Sequence, residues 1–233
     1  MLRIDVITIF PEIFKAVVNE SILKRAQEKK KVLFNIHDLR DYADNRHKKV
    51  DDRPFGGGPG MVISPLPVFK AVKKIKARSK IAKVILLTPQ GTKLHQGKVK
   101  SLSIEKRLIL LCPHYEGIDE RVRQELVDEE ISVGDYILTG GELPALIVID
   151  SIIRLLPGVL GDDDSIKSES FEDSLLEYPH YTRPANLKGL KVPEVLLSGD
   201  HKKIELWRKQ KAISKTKNKR TDLYKKYLKK NNK

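Results

Sequence analysis

The sequence predicts an α/β fold with a mainly parallel sheet over residues 1–160, followed by a smaller basic segment. Three observations carry this prediction. Short β-branched, apolar runs alternate with stretches of helical spacing. Several of the runs end at Gly or Pro, as strands feeding crossover connections do. Charge is segregated: residues 201–233 hold 14 Lys/Arg against 2 Asp/Glu, so +12 of the net +14 lies there and the rest of the chain is close to neutral.

The elements follow in order. Residues 2–10 (LRIDVITIF) read as a buried strand. Pro11 opens a helix running to about Gln27, because proline at the first helical position sacrifices no hydrogen bond. VLFNIHDL (32–39) is a second strand, and residues 40–60 form a long polar, Gly-rich loop. Ser64 and Pro65 start a helix to about Arg78. VILLT (84–88) and RLILLC (107–112) are strands, each followed by Gly- or Pro-containing turns. A helix from Asp119 to Leu126 precedes EEISVG (129–134), and PALIVIDSIIRLL (144–156) is a strongly apolar helix. Residues 161–177 are acidic and serine-rich, an expected linker. Residues 178–233 form a small segment without strong strand signal; IELWRKQKAI (204–213) is its clearest helix, and the lysine-rich end is expected to fray.

Composition excludes several classes. No apolar run reaches the roughly 18 residues of a membrane span. The apolar start carries Asp5 and Glu12 and reads as a strand, not a signal peptide. A single cysteine, Cys112, rules out an intrachain disulfide and a thiolate metal cluster and fits a reducing cytosol. His37, His47, His95 and His201 show no metal-ligand spacing. The basic end is either an appendage that attracts polyphosphates or a solubilising tail.

The motifs sit at loops. In an open α/β sheet, ligands gather at the carboxyl ends of strands. Three such ends are rich in Gly and Pro: Thr88-Pro89-Gln90-Gly91, Pro113-His114-Tyr115-Glu116-Gly117, and Val133-Gly134-Asp135-Tyr136 leading to Gly140-Gly141. Together they can line one pocket of backbone groups; singly each is an ordinary turn. Neither G-x-G-x-x-G nor a P-loop is present, so a nucleotide-like cofactor would be held in another way. Arg53-Pro54-Phe55-Gly56-Gly57-Gly58-Pro59-Gly60 combines glycines, which permit close approach, with prolines, which limit the entropy lost on ordering. His180-Tyr181-Thr182-Arg183-Pro184 offers an aromatic, a hydroxyl and a cation, suited to nucleic acid or equally to a capped turn. Arg154, in an otherwise apolar helix, either snorkels at the helix end or faces an anionic partner.

ITIFPEIF (7–14), RPFGGGPGM (53–61), HYEGIDERV (114–122), SVGDYILTGGELPAL (132–146), LLPGVLG (155–161), YPHYTRP (178–184) and VPEVLLSGDH (192–201) occur in this order. In these motifs the chain resembles the bacterial tRNA (guanine-N1)-methyltransferases of the SPOUT class, from residue 1 to about 213. The resemblance implies a SPOUT-type parallel-sheet domain over 1–160 with a deep trefoil knot, a linker over 161–177, and a small, mainly helical, tRNA-binding domain over 178–233. It implies a cytoplasmic homodimer with composite active sites, and methyl transfer from S-adenosylmethionine to N1 of guanosine 37, beside the anticodon.

The same resemblance maps the cofactor onto Leu87, Thr88 and Pro89; onto Pro113, Tyr115, Glu116 and Gly117; onto Ser132, Val133, Gly134, Asp135, Tyr136, Ile137 and Leu138; and onto Gly140, Gly141 and Pro144. Glu169 maps to the general base and Arg154 to its cationic helper. The tRNA is expected against Gly57, Gly58 and Pro59, against Ser165 and Ser170, and against His180 and Arg183. The family's reaction is associated with Mg2+; the sequence shows no dedicated metal site, and Glu116, Glu169 and the nucleotide are the groups expected near the ion. Two departures stand out. Family members often have Gly where this chain has Pro113, which lacks an N–H to offer. The base position is frequently Asp, and Glu169 adds a methylene. Glu172 and Asp173 are neighbouring alternatives for the base.

Overall fold

A computed structural model describes residues 1–77, 81–160 and 169–231. The chain divides into two compact units, Met1–Gly161 and Asp162–Lys233.

The first unit is built on five parallel strands: β1 (Leu2–Thr8), β2 (Val32–Asp38), β5 (Lys83–Lys93), β6 (Arg107–Leu111) and β7 (Glu129–Ser132). Their order across the sheet is β2-β1-β6-β5-β7. Every residue of β6 (RLILL) is buried, as expected of a central parallel strand covered on both faces. Because side chains alternate along a strand, the sheet feeds two separate cores. Ile4, Val6, Ile85, Leu87, Leu108 and Leu110 pack on one face against Phe14 of α1 (Pro11–Val18), Leu23 of α2 (Ser21–Glu28), Leu102 of α4 (Gln96–Ser103) and Ile149 of α6 (Glu142–Ile153). Ile7, Val84, Leu86, Ile109 and Leu111 pack on the other against Val68, Val72 and Ile75 of α3 (Pro65–Lys76) and Val122 of α5 (Glu120–Leu126).

Three boundaries differ from the sequence reading. The helix expected from Pro11 to about Gln27 is two helices. Asn19 closes the first, and Ser21 stands in the left-handed region (φ 47°), a conformation that no continuous helix accommodates. β5 continues to Lys93 instead of ending near Thr88, with a register shift against β7 between Leu87 and Thr92. Gly91 lies so close to the backbone of Glu130 and Ile131 that a Cβ there would collide with it. Within the loop expected over 40–60, Asp51–Asp52 (β3) pairs antiparallel with Val62–Ile63 (β4) and ties the Gly-rich segment into a short ribbon.

In the second unit, residues 186–187 (β8) and 190–191 (β9) form a small hairpin. They are followed by α7 (Glu194–Leu197), α8 (His201–Lys219) and α9 (Thr221–Asn231). α8 is longer than the apolar pattern predicts. Asp200 caps its start by accepting the Lys203 N–H at 3.1 Å. The lysine-rich end is helical as α9 and docked rather than frayed: Leu223 is buried, and Lys230 pairs with Asp173 at 2.6 Å.

Candidate active site

The middle of β5, where its register against β7 shifts, and the carboxyl ends of β6 and β7 open into one cleft of about 500 Å3, within the range of small-molecule sites. Leu87, Thr88 and Pro89 form one wall, and Pro113, Tyr115, Glu116 and Gly117 a second. Ser132, Val133, Gly134, Tyr136, Ile137 and Leu138 form the third, and Gly140, Gly141 and Pro144 close the cleft at the start of α6. Asp135 is the one mapped cofactor position absent from this lining; its carboxylate pairs with Lys93 at the surface.

Local structure explains why these segments meet. The Gly141 N–H donates to the Pro113 carbonyl at 2.7 Å, and His114 bridges Gly140, so the 133–141 loop is pinned to the end of β6. The Pro113 carbonyl is thus already engaged, leaving only its second lone pair for a ligand. Gly140 lies against Glu142 and His114; a Cβ there would collide with both. Tyr115 sits in the left-handed region (φ 60°), the kind of costly backbone conformation that clusters at functional sites.

Gln90 and His114, which belong to two of the turns expected to line one pocket, also line the cleft, as do Ile131 and Thr139, which are not among the mapped positions. Sequence reasoning passed over Glu142, whose side chain is buried beneath the cleft. Glu142 accepts the Thr8 hydroxyl at 2.8 Å through Oε1, and its Oε2 lies 3.6 Å from Nδ1 of His114. That Nδ1 is buried with no hydrogen-bond partner among the described residues, since 3.6 Å is too long for a bond. Phe10 and Tyr115 flank the imidazole edge-on, with centroids 4.9 and 5.1 Å away. Cys112, beside this group, has its thiol pushed well above the usual range, first by burial and then by the negative charge of Glu142.

The remaining candidates lie elsewhere. Gly57, Gly58 and Pro59 are exposed on the β3–β4 loop. Arg154 is the C-cap of α6 and half-buried. In the second unit, Glu169 is half-buried, and Ser170 Oγ accepts the Glu177 N–H at 3.0 Å. Ser165 lies outside the described residues. Of the two alternative bases, Glu172 opens the short turn Glu172–Ser174, and Asp173 pairs with Lys230. His180 and Arg183 line a second cleft of about 440 Å3, bounded by residues 178–183, Leu196 and Arg208. There the Arg208 guanidinium lies 4.8 Å from the Tyr178 ring centroid, and His180 pairs with Glu177 at 2.8 Å. No group of three His, Cys, Asp or Glu side chains among the described residues is placed to hold a metal ion, and no helix among them is long and apolar enough to cross a membrane.

The profile of the family described as tRNA (Guanine-1)-methyltransferase TrmD matches residues 2–226. The chain belongs to this family. A tRNA (guanine-N(1)-)-methyltransferase of Clostridioides difficile is 56% identical over 97% of this chain and 98% of its own length. Enzymes of the same name from Carboxydothermus hydrogenoformans and Bacillus subtilis are 54% and 53% identical, each over 96% of this chain and over 88% and 93% of their own lengths. This methyltransferase acts on guanine N1 of tRNA, so its site must accept a methyl donor and an unstacked base.

Proposed function

We propose that this methyltransferase transfers the methyl group of S-adenosylmethionine to N1 of guanosine 37 of tRNA. The observation that carries the reading is the cleft in which the irregular middle of β5 and the ends of β6 and β7 converge. The fit of the donor is supported by the composition of the lining. Leu87, Ile131, Ile137 and Leu138 offer apolar walls for an adenine ring. Strand-end backbone groups offer the donors and acceptors that no Gly-rich dinucleotide fingerprint supplies. When bound, the donor supplies an electrophilic methyl group on a sulfonium.

The protein's own residues account for the rest. Guanine N1 carries a proton and becomes nucleophilic only when that proton leaves, placing negative charge on O6. In this reading Glu169 takes the proton and Arg154 stabilises the charge at O6. Leu87–Pro89, Pro113–Gly117, Ser132–Gly134, Tyr136–Leu138, Gly140, Gly141 and Pro144 would hold the donor. The tRNA lies on the Gly57–Pro59 loop and on the second unit at His180 and Arg183, with Mg2+ drawn to the nucleotide and Glu116.

The family's deep knot belongs to the same reading; the pinning of the 133–141 loop across the end of β6 supports it. So does a two-fold dimer with composite sites. The adjacent helices α1 and α6 leave Ile13, Val17, Leu143 and Ile147 40–53% exposed, an apolar face of the kind that a second copy covers. A cytoplasmic location belongs to the same proposal and is supported by the tRNA substrate. The test is to incubate the protein with S-adenosylmethionine and tRNA and map the product by mass spectrometry. One added methyl on guanosine 37 is expected; methylation of another base or none would overturn the proposal.

A further inference from the structure

Phe55 is fully exposed, the most exposed of the large hydrophobic side chains among the described residues. It stands between Pro54 and three glycines, Gly56, Gly57 and Gly58, all at positive φ and with open space where a Cβ would be. The loop is anchored at its base. The β3–β4 ribbon holds it, and its downstream arm is bonded to the cleft wall: Glu116 N–H donates to the Met61 carbonyl at 3.0 Å, Ile63 N–H to the Gly117 carbonyl at 3.0 Å, and Asp119 N–H to the Ile63 carbonyl at 3.1 Å. Gly60 packs directly on the Glu116 side chain. The chain from Gly60 to Phe55 spans at most about 17 Å when fully extended, so the phenyl ring stays within reach of the cleft. An unsupported aromatic ring, carried beside a cation (Arg53) on a loop stripped of side chains, is built to meet a flat partner closely.

We propose that Phe55 is a stacking wedge: it packs on the anticodon-loop base exposed when the target guanine leaves the stack, and so holds that guanine in its extruded state. The inference rests on the proposed function, which requires extrusion of the base. The partner committed to is an RNA base, because every base offers a π-face and the flanking Arg53 favours a polyanion. Apolar side chains inserted at disturbed base steps are a recurrent means of stabilising such distortions.

The test uses the full-length protein and full-length tRNA with 2-aminopurine in place of guanosine 37 for binding, and unmodified tRNA for turnover. Phe55→Ala is expected to lower single-turnover methylation by about 10- to 100-fold, the worth of one base–aromatic stack, and to reduce the fluorescence rise that reports extrusion. Phe55→Tyr and Phe55→Trp should restore both. Affinity for S-adenosylmethionine and sedimentation behaviour should not change. Wild-type turnover with Phe55→Ala, in an active preparation, would overturn the wedge alone. A change in oligomeric state would overturn it in favour of a contact between copies. An inactive wild-type protein would overturn the functional reading itself and the wedge with it.

Discussion

Glu142 is buried between Thr8 and His114, accepting a 2.8 Å hydrogen bond from the first and standing 3.6 Å from Nδ1 of the second. The three residues come from β1, the first turn of α6 and the loop after β6. The group therefore fastens the floor of the cleft to the start of the chain. Glu142→Ala leaves the buried Thr8 hydroxyl without its acceptor and is expected to cost about 1–3 kcal/mol; Glu142→Gln keeps an acceptor and should cost less. Urea unfolding of the two variants compares them, and equal losses would contradict the assignment. Burial, the larger of the two effects that hold the Cys112 thiol protonated, is retained in Glu142→Gln, so a thiol reagent should label Cys112 only on unfolding, in wild type and in this variant alike.

Asp5 predicts an acid limit to stability. Burial opposes its ionisation, but hydrogen bonds from His37 at 2.9 Å and from Arg107 at 2.8 Å, with their charges, outweigh this and hold its carboxyl below the ordinary range. A carboxyl depressed in the folded state stabilises fully above its unfolded pKa of about 3.9, and this contribution disappears as pH falls through the lower folded value. Thermal melts should be insensitive to Asp5 ionisation above about pH 5 and fall steeply below about pH 4. Asp5→Asn leaves the Arg107 guanidinium buried without its counter-charge, and about 3–5 kcal/mol of destabilisation is expected. A variant as stable as wild type at pH 7 would contradict this.

Glu169 and Arg154 lie in different compact units, and the proposed dimer places them in one site from two chains. Glu169→Gln should retain binding of S-adenosylmethionine and lose about 10²- to 10⁴-fold in methyl transfer. Mixing it with an Arg154→Ala chain, each inactive alone, should restore activity through the one intact site of each heterodimer, to about a quarter of wild type after random exchange. No recovery after exchange verified by mass would show that both residues act from the same chain.

The basic end gives a prediction about salt. Deleting residues from 214 onward would remove Thr216, which is fully buried and accepts the Leu176 N–H at 2.8 Å, and Lys215, which donates to the Glu177 carbonyl at 2.9 Å. Truncation would damage the second unit. Substituting Lys225, Lys226 and Lys229, exposed on α9, with Gln tests charge alone. If they meet phosphates, the slope of log affinity for tRNA against log salt should become shallower by about 2–3, with S-adenosylmethionine affinity unchanged. Superimposable slopes would assign the lysines to solubility.

By itself the sequence determined the five strands of the main sheet, the class of that sheet and the family. Apolar runs such as RLILL have one favourable fate in a domain of this size, and long ordered motifs such as SVGDYILTGGELPAL are specific. The candidate cofactor positions were legible because they fall within those motifs. The tertiary structure decided what depends on distant partners. Nothing in the local pattern around Glu142, two positions before the expected helix, marks it as buried; its bond with Thr8, 134 positions away, makes it an anchor. The lysine-rich end reads as a fraying tail, because a tie that docks it, Lys230 to Asp173, joins residues 57 apart. Local pattern fixes what a segment can be, since backbone preference and periodicity act over one or two turns. Burial, pairing and the convergence of β5, β6 and β7 on one cleft are set by which segments pack together, and no single segment encodes that.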